Sequence, residues 1–96
     1  MLCDMIKSLR EDIGYSQSEL ARKLGISRSS VNAWEMGLSI PTTPYIVELS
    51  KIFHTSTDYI LGVEKQRIIT LDEYNSMEVE LIYNLLKYFD KQKDIK

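Results

Sequence analysis

Apolar side chains recur three and four positions apart along the first 62 residues, and four of these apolar runs end at a glycine. This spacing puts the apolar side chains on one face of a helix, so the pattern predicts an all-α fold of short amphipathic helices. A glycine directly after such a run favours a helix C-terminus, because glycine adopts the left-handed conformation that satisfies the last carbonyl groups. The four glycines at these positions are Gly14, Gly25, Gly37 and Gly62.

Polar residues in front of the apolar runs predict where the helices begin. Asp4 is the expected N-cap of the first helix, and Ser16 with Glu19 three positions later has the spacing of a capping box. Pro44 suits the first position of a helix, where its missing N–H is no loss. Five helices are predicted in this segment: Asp4 to Ile13, Ser16 to Leu24, one capped by Ser27 and running to Met36, one from Pro44 through Phe53, and one capped by Ser56 and running from Thr57 to Leu61.

The chain beyond residue 62 has a different pattern. Residues 63–75 are expected to form a linker. Its segment 66–69 is β-leaning and could form a short strand, and a weaker prediction is that residues 66–71 pair as strands across a dimer. Asn75 followed by Glu78 has capping-box spacing, so a last helix should begin near Ser76. The expected organisation is a helical domain over residues 1–62, a linker over 63–75 and an amphipathic helix over 76–96.

The last helix carries an apolar stripe wider than a domain with its own core can hide. We expect this stripe to hold a homodimer together. The alternative is that it folds back onto the first and fifth helices, and a protein partner could also dock there. The residues assigned to dimerisation are Met77, Leu81, Ile82, Leu85, Leu86 and Phe89.

Composition limits the chemistry of the chain. The net charge is −2, and residues 1–62 hold six basic and seven acidic side chains, so net charge does not steer the domain toward an anionic partner. His54 stands without a second histidine or a cysteine nearby, which argues against a metal site, and no serine has a histidine and acid arrangement to activate it. With one cysteine and no membrane-length apolar run, we expect a cytoplasmic protein without cofactor or enzymatic activity.

The central segment resembles the phage-repressor/Cro (XRE) family of helix-turn-helix proteins. The resemblance covers about residues 4–62 and rests on segments 16–27, 30–37, 49–53 and 56–62, together with Pro41. It implies a five-helix, lambda-repressor-like domain that binds double-stranded DNA, usually as a dimer. The helix from Ser27 to Met36 is then the recognition helix, whose N-terminus enters the major groove.

The outer face of this helix carries the expected base-reading residues. Arginine can donate two hydrogen bonds to guanine, asparagine can pair bidentately with adenine, serine is permissive, and alanine can contact a thymine methyl group. The inner face, with Val31 and Trp34, should anchor the helix to the core. The base-reading candidates are Arg28, Ser29, Asn32 and Ala33.

Phosphate contacts and one ion pair complete the expected site. The resemblance implies that Gln17 lies against a phosphate, and that Arg10 and Glu35 form a partly buried salt bridge between the first and third helices. Further phosphate candidates at helix starts are Ser27, Thr42, Thr43 and Tyr45. Where many relatives carry basic or amide side chains after the recognition helix, this chain has Met36, Leu38 and Ile40, which predicts a shallow salt dependence of DNA binding.

The pattern and the resemblance together predict a transcriptional regulator that represses by occupying a palindromic operator as a homodimer. Two other classes stay open. The chain could be the antitoxin of a toxin–antitoxin pair, with the toxin bound at the last helix. It could also be a protein-interaction module that has lost DNA binding, which the acidic balance and the apolar loop favour.

Overall fold

Six α-helices make up the computed structural model, which describes residues 1–94. No strand occurs within those residues, and the predicted all-α fold of five short helices plus a C-terminal helix is confirmed. The last two residues of the predicted segment 76–96 lie outside the described residues. The helices are α1 (Leu2–Asp12), α2 (Gln17–Leu24), α3 (Arg28–Glu35), α4 (Thr43–Ile52), α5 (Thr57–Ile60) and α6 (Ser76–Asp94).

One buried cluster from α1 to α5 and their connections holds the domain together. Each of these helices contributes the apolar face that its sequence period predicts, and side chains such as Leu2, Met5 and Tyr45 close the edges of the cluster. The fully apolar centre excludes water, which is the main favourable contribution to folding. The cluster consists of Ile6, Leu9, Leu20, Ala21, Val31, Trp34, Ile46, Leu49, Phe53 and Ile60.

Helix starts follow the predicted caps except in α1 and α4. Met1 is the N-cap of α1, and Asp4 lies in the first turn, so the prediction of Asp4 as N-cap is wrong. The earlier start brings Leu2 and Met5 against the core, and this burial outweighs a side-chain cap. Pro44 lies one residue further into α4 than predicted, since Thr43 is its first residue.

The capping boxes form as predicted. The hydroxyl of Ser16 accepts from the backbone N–H of Glu19 at 3.0 Å, and the Glu19 carboxylate accepts from the N–H of Ser16 at 3.0 Å. The same reciprocal pair joins Asn75 and Glu78 at the start of α6, at 2.8 and 2.9 Å. These bonds satisfy backbone donors that a helix start otherwise leaves open, and they explain why local sequence located both starts.

The linker and α6 lie outside the core. Residues 66–71 form no strand in the described chain, and their pairing across a dimer stays a prediction. Two side-chain contacts connect the linker to the domain: Arg67 Nη1 donates to Asp12 Oδ2 at 2.9 Å, and the hydroxyl of Tyr74 lies 2.9 Å from Nδ1 of His54. Since α6 buries none of its residues, the alternative in which it folds back onto α1 and α5 is not what the structure shows.

Gly25 provides a test of the turn between α2 and α3. Its φ of +71° is left-handed, and a Cβ built there meets nothing within 4 Å, so alanine would be strained by backbone conformation and not by collision. We expect Gly25→Ala to lower the free energy of unfolding by about 1–2 kcal/mol, measured by urea denaturation. Ser18→Ala on the exposed surface of α2 serves as the control, and an unchanged stability in Gly25→Ala would contradict the strain argument.

Candidate nucleic-acid interface

The turn between α2 and α3 holds the two helices at a set angle. Gly25 ends α2 in the left-handed conformation, and the N–H of Ile26 reaches back to the carbonyl of Ala21 at 3.0 Å. Ser27 then caps α3 by accepting from the N–H of Ser30 at 3.2 Å. Val31 and Trp34 on the inner face of α3 are buried, so the opposite face of this helix points to solvent.

The outer face of α3 carries the predicted base-reading residues, with Arg28 and Ser29 at its start and Asn32 and Ala33 one turn further along. Arg28, Ser29 and Asn32 are exposed, whereas Ala33 is half-buried and offers less contact surface. Arg28 forms no ion pair within residues 1–94. The hydroxyl of Ser27 lies 3.0 Å from that of Ser29 and 2.9 Å from that of Ser30, so the three serines form one hydrogen-bonded group at the helix start.

A bidentate ion pair connects α1 to the end of α3. Arg10 Nε donates to Glu35 Oε2 at 2.6 Å, and Arg10 Nη2 donates to Glu35 Oε1 at 2.9 Å. The third contact of the guanidinium, from Nη1 to the carbonyl of Tyr15 at 2.8 Å, ties in the loop before α2. The side chains are 11% exposed for Arg10 and 3% for Glu35, so this is the kind of pair whose separation leaves a buried charge.

The pair keeps both groups charged. Burial acts to raise the pKa of Glu35, but hydrogen bonds from Arg10 and Gln17 and nearby positive charge lower it, and the pKa ends below its usual range. The hydrogen bond to Glu35 raises the pKa of the Arg10 guanidinium. Glu35 is therefore an ionised carboxylate at neutral pH. The Arg10 guanidinium compensates its charge inside the domain, so this charge is not presented on the outer face of α3.

Gln17 joins this pair to the outer face of α3. Its Nε2 donates to Glu35 Oε1 at 3.1 Å and to Asn32 Oδ1 at 3.2 Å. Sequence reasoning missed this link, and no local signal could have found it, because the partners lie 18 and 15 positions away and meet only when α2 packs on α3. Gln17 thus contacts Asn32, one of the base-reading candidates. Its phosphate contact, which the resemblance implies, stays a prediction.

The remaining phosphate candidates lie at the starts of α3 and α4. Ser27, Thr42 and Thr43 are exposed, and Tyr45 is half-buried with its ring 5.6 Å from that of Trp34. Thr42 is the N-cap of α4 but makes no side-chain capping bond, so its hydroxyl is not committed to the helix. Phosphate contact by these four residues stays a prediction.

Besides the linker, where Val63 and Ile68 are exposed, two segments carry several exposed apolar side chains. One is the loop after α3, where Met36, Leu38 and Ile40 are all more than 60% exposed. The other is α6, whose predicted dimerisation residues lie at the surface: Leu81 is 62% exposed and Leu85 is 50% exposed, while Ile82 is half-buried. A long helix with an uncovered apolar face indicates an interaction surface.

Residues 1–94 contain neither a metal-binding cluster nor a helix of membrane-spanning character. Clusters of three or more histidine, cysteine, aspartate or glutamate side chains that could hold a metal ion do not occur there. None of the helices in this part of the chain combines the length and apolar character needed to cross a membrane.

Comparisons with known proteins identify the family. The helix-turn-helix family model matches residues 6–60. YonR, an uncharacterized SPbeta prophage-derived HTH-type transcriptional regulator of Bacillus subtilis (strain 168), is 35% identical, with 91% of this chain and 94% of YonR covered. The HTH-type transcriptional regulator ImmR of the same organism is 35% identical over 62% of this chain, which spans about half of ImmR, 47% of its length.

Solved structures agree with this result. The biofilm master regulator SinR in complex with DNA is 32% identical, with a TM-score of 0.60, and the match covers 64% of this chain and 98% of that one. A complex of SinR with SinI matches 97% of this chain at 26% identity and a TM-score of 0.61. The chain therefore belongs to the helix-turn-helix (XRE) family, and the relatives named here are HTH-type transcriptional regulators.

The ion pair makes a testable contribution to stability. Arg10→Met leaves the Glu35 carboxylate buried without its partner, and we expect a loss of about 3 kcal/mol in the free energy of unfolding. The double variant Arg10→Met/Glu35→Leu should be more stable than Arg10→Met, because it removes the unpaired charge. Urea denaturation of the three proteins measures this, and equal losses in the single and double variants would contradict it.

The same pair predicts a pH dependence. The pKa of Glu35 is lower in the folded chain than its ordinary value of 4.5. The stability it contributes is therefore complete above pH 4.5 and is lost as the pH falls through the lower, folded pKa. Thermal unfolding of wild type and Glu35→Gln between pH 7 and about 3 should show the acid loss reduced in the variant, and parallel curves would argue against a coupled Glu35.

Proposed function

We propose that this chain is a repressor that binds a palindromic operator as a homodimer, with α3 in the major groove and α6 at the dimer interface. One observation carries the proposal: α3 is anchored on its inner side by Val31 and Trp34 and presents Arg28, Ser29 and Asn32 on its exposed outer face. A rigid helix with hydrogen-bonding side chains at its N-terminal end is what major-groove reading needs. The structural likeness to SinR, which is known in complex with DNA, supports it.

Dimerisation follows from the low positive charge of the domain. Phosphate contacts supply most non-specific affinity, and this domain has few basic side chains to make them. Two protomers double the contacts, and they read half-sites about 34–36 Å apart, one helical turn of DNA. The uncovered apolar face of α6 is the surface with the length to join two protomers, because α6 has 19 residues and buries none of them.

Phosphate contacts are assigned to the helix starts. Ser27 is the N-cap of the reading helix α3, and Thr42, Thr43 and Tyr45 lie at the start of α4, the next helix of the chain. The N-terminus of α2 adds backbone N–H groups whose dipole favours an anion. Arg28 supplies a guanidinium that can pair bidentately with guanine. Repression then requires occupancy of a promoter and no chemistry, in the cytoplasm where the chromosome lies.

A second candidate function is favoured by the exposed apolar loop of Met36, Leu38 and Ile40 and by the net charge of −2. In this case the domain is a protein-interaction module without DNA affinity. A protein partner at α6, including a toxin, is the related alternative, and the complex of SinR with SinI shows that a structural neighbour takes a protein partner.

Selection of random duplex DNA by the purified protein tests DNA reading. We expect a palindromic site, and we expect Arg28→Ala to relax discrimination at one base pair of each half-site by about 1–3 kcal/mol, since that is the worth of a bidentate contact. Lys51→Ala, which removes an exposed basic side chain from the last turn of α4, is the control. Absence of any enriched site at low salt would favour the interaction module.

The mass of the protein in solution tests the dimer. In sedimentation equilibrium we expect a mass of about twice 11.2 kDa for wild type and of 11.2 kDa for Leu85→Glu. The reason is that a carboxylate on the apolar stripe of α6 opposes burial of the stripe in a dimer interface. Lys87→Glu introduces the same side chain on the polar side of α6 and should leave the dimer intact. A wild-type monomer at all concentrations would assign the stripe to a different partner.

A further inference from the structure

Four side chains from three helices form one continuous hydrogen-bonded row. It begins at Arg10 on α1, passes through the Glu35 carboxylate on α3 and the Gln17 amide on α2, and ends at Asn32 on the outer face of α3. The row runs from a carboxylate that is 3% exposed to an amide at the surface. It connects the buried charge of the domain directly to a residue of the reading face.

Donor and acceptor rules give this row a direction. An ionised carboxylate only accepts hydrogen bonds, so Glu35 must face the nitrogen of the Gln17 amide and not its oxygen. That nitrogen only donates, so the atom of Asn32 that it contacts at 3.2 Å must be Oδ1. The buried carboxylate thus sets the orientation of Gln17, and Gln17 in turn sets the orientation of Asn32.

We infer that Gln17 is a positioning residue for base reading, which holds Asn32 by its Oδ1 so that the Nδ2 donor of Asn32 is presented to the DNA. The inference rests on the proposed function. It fixes what Asn32 can offer: Gln17 occupies one of the two lone pairs of Oδ1, which leaves one lone pair and both Nδ2 hydrogens for a base, so bidentate pairing with adenine stays open. Donation from Nδ2 to a base acceptor, such as guanine N7 or O6, needs no rearrangement, whereas cytosine N4 offers only a donor.

The inference also reassigns the side chain of Gln17. Its amide nitrogen has two hydrogens, and the contacts with Glu35 and Asn32 account for both. A phosphate oxygen only accepts, so a phosphate contact by this side chain would require it to release one of its present partners. The two roles differ in effect, because a phosphate contact changes affinity for every sequence, while a positioning contact changes preference at one base pair.

The experiment compares three variants on the site that wild type selects, with each base pair of the half-site changed in turn. Asn32→Ala should reduce discrimination at one base pair by about 5- to 150-fold, since that is the range for a specific contact. Gln17→Met keeps the length of the side chain without its amide, and it should reduce discrimination several-fold at that same base pair and leave the others unchanged. The double variant should match Asn32→Ala alone.

A rescue variant and a control separate positioning from a structural role. Gln17→Lys places a group that only donates beside Glu35 and Asn32, so it should restore the wild-type base preference even though its charge raises affinity for all sequences. Ser18→Ala, at the next position of α2, should change no base preference. Thermal unfolding confirms that each variant is folded before binding is measured.

A measurement without DNA tests the row itself. In wild type, the side-chain amide resonances of Gln17 should shift as the pH is lowered and Glu35 becomes protonated, and those of Asn32 should shift with them. In Gln17→Met the Asn32 amide should no longer respond. Amide resonances of Gln17 and Asn32 that stay constant through the titration of Glu35 would overturn the inference.

The outcomes of the binding experiment are distinct. Specific binding in which Gln17→Met weakens all sites equally, or in which its effect multiplies that of Asn32→Ala, overturns the positioning role and makes Gln17 a phosphate contact. If wild type enriches no duplex, the proposed function itself fails, and the base-reading role of Gln17 fails with it.

Discussion

The buried ion pair between Arg10 and Glu35 is the constraint on which the reading helix depends. It fastens the C-terminal end of α3 to α1, and through Arg10 it also holds the carbonyl of Tyr15 in the loop before α2. The helix-turn-helix is therefore attached to the rest of the domain at both of its outer ends, while the turn at Gly25 joins its middle. A recognition helix held at several points keeps its outer face in one orientation, which base reading requires.

The same carboxylate resolves a conflict between stability and DNA binding. An acidic side chain on a helix that approaches phosphates would be repelled by them, but Glu35 turns inward and is neutralised by a bidentate partner. Its remaining acceptor capacity is used by Gln17. One charge thus stabilises the packing of α1 on α3 and, through a single glutamine, reaches the surface at Asn32.

Sparse positive charge shapes the rest of the molecule. A domain with balanced charge and an apolar loop after α3 has few groups to attract phosphates, so the proposed operator binding depends on specific contacts and on the proposed pairing of two protomers. The exposed stripe of α6 fits this need, because it offers apolar surface that the five-helix core leaves uncovered. The core is complete without α6, which leaves that helix available for association.

The amino-acid sequence by itself determined the helices, most of their starts and the turns that end them. These features depend on interactions within a few residues, such as the capping boxes at Ser16 and Asn75 and the left-handed turn at Gly25. It also determined the inner and outer faces of α3 through the 3.6-residue period. The local sequence indicated a wrong helix start where packing with distant residues competes with it. At Asp4 it predicted an N-cap, whereas burial of Leu2 starts α1 earlier.

Only the tertiary structure decided which side chains meet across helices. The contacts of Gln17 join residues 15 and 18 positions apart, and their geometry depends on how α2 packs against α3. The same holds for α6: its amphipathic pattern is compatible with folding back or with association, and only the folded domain, whose core closes without it, leaves its apolar face exposed. Local interactions depend only on neighbouring residues, whereas the contacts of Gln17 and the exposure of α6 depend on distances that are set only when the chain has folded.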